Sequence, residues 1–111
     1  MQKYTDPEKN KSRIYRENKK KSGIYRWTNR INGHSYIGRS KDLGNRFWLY
    51  FSKKSMRNNL KTSRSFIYSA LLEHDYSSFE LEILEYCDEE KIKSREKYYI
   101  DLYDPEYNIK K

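Results

Sequence analysis

Asn32 and Gly33 stand between two short segments of strand character, residues 22–28 and 35–40. An Asn-Gly pair supplies the two positive-φ positions of a type I′ turn, which predicts an antiparallel hairpin. A two-residue turn pairs odd positions with even ones, and cross-strand partners share a face. Tyr25 and Tyr36 are therefore expected on the same side of the hairpin. With Asn32-Gly33 at its centre they stand four residues out of step, about 13 Å along the strand. A shared face follows from this register; direct contact does not.

Periodicity supplies the remaining elements. Ser40 is placed to cap a helix beginning at Lys41, with Asp42 in its first turn. Leu43, Phe47, Tyr50 and Phe51 form one apolar stripe on that helix, with Arg46 on its flank. Gly44 weakens it by up to ~1 kcal/mol. Residues 53–62 read as a basic loop, and a second helix fits 65–73 with Phe66, Ile67, Ala70 and Leu71 inward. Residues 79–83 alternate as a third strand, and Asp88 is placed to cap a third helix that Asp104-Pro105 stops. Residues 1–20 are densely charged and poor in aliphatics, which predicts a basic flexible tail, from which Ile14 and Tyr15 could still dock on the domain. The expected fold is α+β: a largely antiparallel three-stranded sheet flanked by three helices, in the order β-β-α-α-β-α, spanning residues 21–111.

The core must be small. The apolar set is 35% of 111 residues and includes 12 Tyr, so roughly 27 side chains are free of a polar tip. No run approaches the ~18 apolar residues of a membrane span, and no membrane partner is expected. Cys87 stands alone, which excludes a disulfide scaffold, and residues 1–20 lack the apolar stretch of a signal peptide, so an intracellular protein is expected. The net charge of +8 is uneven: residues 1–21 carry +5, 22–70 carry +9 and 71–111 carry −6. Two thirds of the chain suit a polyanion, and nucleic acid is the expected partner; no protein partner is evident.

One residue breaks its pattern. The inward stripe of the third helix is Ile92, Tyr99, Ile100 and Tyr103, and Glu96 falls inside it. A carboxylate on an apolar face needs a partner, a metal or a raised pKa; the plainer alternative is an edge glutamate paired with an arginine. Before any motif is considered, ordinary strand packing is the favoured account of Tyr25 and Tyr36, and a solvated helix face that of Arg46. His34 and His74 have no metal-ligand spacing with Cys87, and neither a Walker loop nor a Rossmann glycine pattern is present.

Gly23-Ile24-Tyr25 and Tyr36-Ile37-Gly38 together carry a resemblance that neither triplet carries alone. They precede the segment Gly38 to Phe47, then Ala70-Leu71-Leu72, Phe79 to Leu84, Arg95 to Ile100 and Pro105-Glu106-Tyr107-Asn108. From Lys21 to Lys110 the chain resembles the GIY-YIG nucleases, most of all the nuclease domain of intron-encoded homing endonucleases from fungal mitochondria.

The resemblance implies a metal-dependent DNA endonuclease with a mitochondrial location, or otherwise a cytoplasmic or nucleoid one. It makes Tyr25 and Tyr36 the active-site tyrosines and Arg46 the phosphate contact. It makes Glu96 the ligand of one Mg²⁺, with Mn²⁺ as a substitute, and Asn108 the asparagine that closes the site. Tyr50 matches a residue some members use one helical turn after the arginine. Other members carry a histidine or lysine in the following loop, for which Lys53, Lys54 and Lys61 are the candidates here. Arg39 stands where serine is frequent. Arg39, Arg46, Lys53, Lys54, Arg57, Lys61 and Arg64 are the expected contacts to double-stranded DNA. A phenol titrating near 10 needs a nearby cation to act as a base, and either Tyr25 or Tyr36 could take the proton. The competing expectation is a catalytically silent DNA- or RNA-binding module on the same fold; a small ribosomal-type protein leaves Glu96 unexplained.

Overall fold

A computed structural model describes residues 2–108. Met1 and residues 109–111, the ends of the expected tail and domain, lie outside them. The elements are β1 (Lys3–Tyr4), α1 (Lys11–Asn18), β2 (Gly23–Asn29), β3 (Ser35–Ser40), α2 (Leu43–Tyr50), α3 (Lys53–Leu60), α4 (Phe66–His74), β4 (Phe79–Tyr86) and α5 (Ile92–Tyr103). The expectation of three strands and three helices is thus corrected to four strands and five helices among the described residues. The α+β class and the antiparallel pairing stand, with strand order β1-β4-β2-β3.

The hairpin forms with a different turn. Asn29 N–H donates to the His34 carbonyl at 2.8 Å, and Gly33 N–H donates to the Asn29 carbonyl at 2.8 Å. This closes a loop over residues 30–33, in which only Gly33 takes positive φ, at 78°. Asn29 and Asn32 side chains accept from Ile31 N–H and His34 N–H, so local side-chain bonds outcompete the type I′ turn. The resulting register sets Tyr25 opposite Gly38 and Tyr36 opposite Trp27. The tyrosines keep their common face but are two residues out of step instead of four, and their ring centroids lie 6.4 Å apart.

The segment expected as a tail is folded. β1 extends the sheet at β4, and α1 packs beside α2. Tyr4 and Ile14 are completely buried, while Tyr15 stays partly exposed with its ring edge-on to Trp48. Tyr4 donates to Glu17 at 2.7 Å, and buried Asn18 donates to the Tyr4 hydroxyl while accepting from Tyr86. Two apolar anchors and one closed polar network order a segment whose composition suggests disorder.

The expected 53–62 loop is largely helix α3. Ser52 accepts from Ser55 N–H at its N-terminus, and its one buried side chain, Met56, leaves too thin a stripe to read as periodic. Two other starts shift. Asp42, not Ser40, caps α2 by accepting from Asn45 N–H. Asp88 makes no capping side-chain bond; a single 3₁₀ turn over Glu89–Lys91 intervenes before α5.

Helices cover both faces of the sheet. One face carries Tyr25, Trp27, Leu81 and Ile83 against Ile14, Leu43, Phe47, Tyr50, Met56, Ile67 and Leu71 of α1 to α4. The other carries Ile24, Ile37 and Leu84 against Ile92 of α5, with Tyr99 and Ile100 half-buried. Only Ile92 of the expected α5 stripe is fully buried, and Tyr103 is exposed. Phe66, expected inward on α4, is also exposed. No helix among the described residues is long and apolar enough to cross a membrane.

Candidate active site

Tyr25 is 1% exposed, and its hydroxyl shares a 2.8 Å hydrogen bond with that of Tyr50. The register explains why Gly38 faces it: a Cβ at Gly38 would lie 2.5 Å from the Tyr25 ring and hydroxyl. The YIG glycine is therefore a requirement for space beneath the GIY tyrosine. The Tyr25 ring meets Phe47 and Tyr50 edge-on, so α2 fixes it from above.

Arg46 lies one turn before Tyr50 on α2, as its spacing requires. Its guanidinium sits 4.5 Å from the Tyr50 ring centre and 5.8 Å from that of Tyr68, and it donates to the Tyr50 hydroxyl at 3.4 Å. Tyr68, on α4, is a site neighbour the sequence reading missed. It falls beside the inward stripe of α4, and only the packing of α4 against α2 brings it to Arg46. Burial works against the Arg46 charge, but the oxygens of Tyr25, Tyr50 and Tyr68 outweigh it and hold the guanidinium firmly protonated.

Tyr36 projects from β3 at the sheet edge. Together with Glu96, Asn108, Arg64, Ser65, Phe66 and Tyr107 it lines a cavity of about 340 Å³. Residues 72 apart in the chain thus meet at one wall, because α5 crosses the sheet beside β3 and the chain end returns along the same edge. Asn108 makes that return: Ile37 N–H donates to its Oδ1, and its Nδ2 donates to the Ile37 carbonyl, both at 2.9 Å. Both ends of its amide are engaged, so it anchors the strand next to Tyr36.

Glu96 is half-buried and is ion-paired: Arg39 Nη1 donates to its Oε1 at 2.5 Å. The off-pattern carboxylate has an arginine partner, as the plainer expectation held. Lys53, Lys54, Arg57, Lys61 and Arg64 are all exposed, on α3 or just after it. Arg64 reaches the cavity; Lys53 lies 3.7 Å from Asp75 instead.

Chemically, the cavity wall offers the phenols of Tyr36 and Tyr107, the Arg64 guanidinium and the Glu96 carboxylate, with the Tyr25–Tyr50–Arg46 cluster beside Tyr36. Burial raises Tyr25, Tyr36 and Tyr50 above the ordinary phenol value, more than the nearby Arg46 lowers them. All three therefore hold their protons at neutral pH and present hydrogen-bond donors. The folded state binds these protons more tightly than the unfolded chain, whose tyrosines titrate near pH ~10. Their contribution to stability is complete below about pH 10 and is lost as pH rises through the higher folded values. Urea midpoints are expected to fall as pH rises from about 10 to about 12, and Tyr36→Phe to flatten the decline. A parent midpoint constant over that interval contradicts this.

The donor set suits a hard cation of one kind. Among the described residues no three His, Cys, Asp or Glu side chains converge, so a cage of protein ligands is absent there. Mg²⁺ keeps much of its water shell and binds through one or two carboxylates, which a single Glu96 on an open cavity satisfies.

The chain is 28% identical to the catalytic domain of the homing endonuclease I-TevI, over 82% of this chain and 100% of that one, with a TM-score of 0.65. It is 25% identical to the N-terminal GIY-YIG endonuclease domain of UvrC from Thermotoga maritima, in a point mutant bound to its catalytic divalent cation. That likeness covers 93% of this chain and 98% of that one, with a TM-score of 0.60. No curated protein matches. The GIY-YIG catalytic domain family matches residues 21–108, from just before β2 to the asparagine that pins β3. The chain belongs to the GIY-YIG family of nuclease domains.

Proposed function

We propose that this chain is a divalent-metal-dependent endonuclease that hydrolyses phosphodiester bonds of double-stranded DNA. The observation that carries the reading is the shared cavity of Tyr36, Glu96 and Asn108, backed by the Tyr25–Tyr50–Arg46 cluster. The UvrC domain bound to its catalytic divalent cation supports a metal at the family's site. These relatives lend no support to intron homing or to a mitochondrial location.

In this reading Arg46 grips non-bridging phosphate oxygens with its fork, already oriented by the Tyr50 and Tyr68 rings. Tyr36 at the wall, with Tyr25 behind it, orients the attacking water; loss of one phenol proton to solvent leaves a phenolate that accepts the proton of that water. The raised pKa values of the two phenols make added positive charge a condition of that transfer. Glu96 would hold the ion, which when bound supplies charge stabilisation at the phosphate and the leaving oxygen. Asn108 keeps Tyr36 in register through Ile37. Lys54, Arg57, Lys61 and Arg64 line up as backbone contacts, and binding should weaken with salt by a log–log slope of about −0.9 per phosphate.

The test is nicking of supercoiled plasmid with Mg²⁺ against EDTA. Nicking that EDTA abolishes and excess Mg²⁺ restores is the expected result; unchanged DNA under both conditions refutes the enzyme. One observation favours the alternative of a silent nucleic-acid-binding module: Glu96 already has a cation in Arg39. That module would show the same salt dependence without nicking.

A further inference from the structure

Arg39 is the one charged side chain that β3 places on the α5 face of the sheet, in register with Ile24. Its guanidinium reaches across to Glu96, and the two side chains are 41% and 18% exposed. The carboxylate is the more sheltered member and the guanidinium has the open side. Glu96 also borders two depressions. One is the cavity with Tyr36, Arg64 and Asn108; the other holds Arg39, Glu90, Lys93, Ser94 and Lys97.

We propose that Arg39 is an internal counter-cation of Glu96 that makes divalent-ion loading depend on DNA. This rests on Glu96 being the metal ligand. In the free protein Arg39 and a divalent ion compete for one carboxylate. Once Glu96 is given up to the ion, the lining of that depression holds Arg39, Lys93 and Lys97 against Glu90 alone, so an added anion offsets the excess positive charge. A DNA phosphate is the anion that the basic 22–70 segment recruits, and an arginine fork suits it. DNA therefore draws Arg39 outward and frees Glu96. Linkage then requires the ion to strengthen DNA binding by the same factor by which DNA strengthens ion binding. Arg39 acts through Glu96, so it is a positioning residue, and no bond is made or broken in the exchange.

The test measures ion binding in the full chain. Mn²⁺ is titrated by electron paramagnetic resonance and Mg²⁺ by calorimetry, without DNA and with a short duplex carrying non-hydrolysable linkages. In Arg39→Ala, Mn²⁺ affinity without DNA is expected to rise about fivefold, the upper range for a partly exposed pair. The gain that DNA confers on Mn²⁺ affinity should shrink by the same factor. Arg39→Gln, checked by its melting curve, should behave alike. If Glu96→Gln loses the ion while Arg39→Ala binds it no more tightly than the parent, the proposal is overturned and the metal reading survives. If Glu96→Gln binds Mn²⁺ as the parent does, the metal reading itself is wrong and the proposal goes with it. If both Arg39 variants unfold, the pair is structural and the proposal is overturned.

Discussion

A chain lacking residues 1–20 is expected to lose cooperative folding altogether. The deletion strips Tyr4 and Ile14 from the core, each worth about 1.5–3 kcal/mol of burial. It removes the β1–β4 pairing and the Tyr4–Glu17–Asn18–Tyr86 network as well. It also uncovers α2. Lys20 N–H, which donates to the Asp42 side chain at that helix start, is lost as well. α1 and α2 approach so closely that a Cβ at Gly44 would lie 2.6 Å from the Lys19 backbone. The glycine whose low helix propensity weakens α2 is what lets α1 seat. A domain of this size has only about 5–15 kcal/mol of net stability, so the summed loss consumes most of it. The truncated chain should give a broad melt and a collapsed near-ultraviolet dichroism signal. Ile14→Ala in the full chain should cost about 2–5 kcal/mol while leaving a cooperative transition. A truncated chain that melts as sharply as the parent would sink this account.

Glu96→Gln is expected to reduce Mg²⁺-dependent nicking by at least about a thousandfold, with duplex binding in EDTA within a few-fold of the parent. The amide keeps the shape and a hydrogen bond to Arg39 but lacks the charge a hard cation needs. Loss of a partly exposed ion pair should lower stability by no more than about 1 kcal/mol, so the melting temperature moves little. Arg46→Ala should differ in kind. It removes a substrate contact, so both duplex affinity and rate fall, the rate by about 100- to 1,000-fold. It also leaves the buried Tyr25–Tyr50 pair without its neighbouring cation, so stability falls too. The two are separated by a nicking time course, a binding isotherm in EDTA and a melting curve. Parent-level nicking by Glu96→Gln would move the metal elsewhere.

What was legible in the sequence was local. The two strands beside Asn32-Gly33, the Leu43–Phe47–Tyr50 stripe and the helix fitted to residues 65–73 depend on neighbours within a few residues, and each formed. The parity of the hairpin was enough to put Tyr25 and Tyr36 on one face, since moving the turn by an even step preserves it. Glu96 announced itself by breaking a helical pattern, and ordered motifs tied it to the tyrosines. The tertiary structure decided the rest. The hairpin register followed from side-chain bonds within the loop, not from the Asn-Gly pair. β1 and α1 formed because distant residues of β4 and α2 provided surfaces on which a polar segment could bury Tyr4 and Ile14. Tyr68 reached Arg46, and Arg39 reached Glu96, through packing between elements up to 57 residues apart. Periodicity reports which face of an element is apolar, but which polar groups meet depends on how those faces are stacked. That is why the candidate site's members could be named from the sequence while its ion pair and its hydrogen bonds could not.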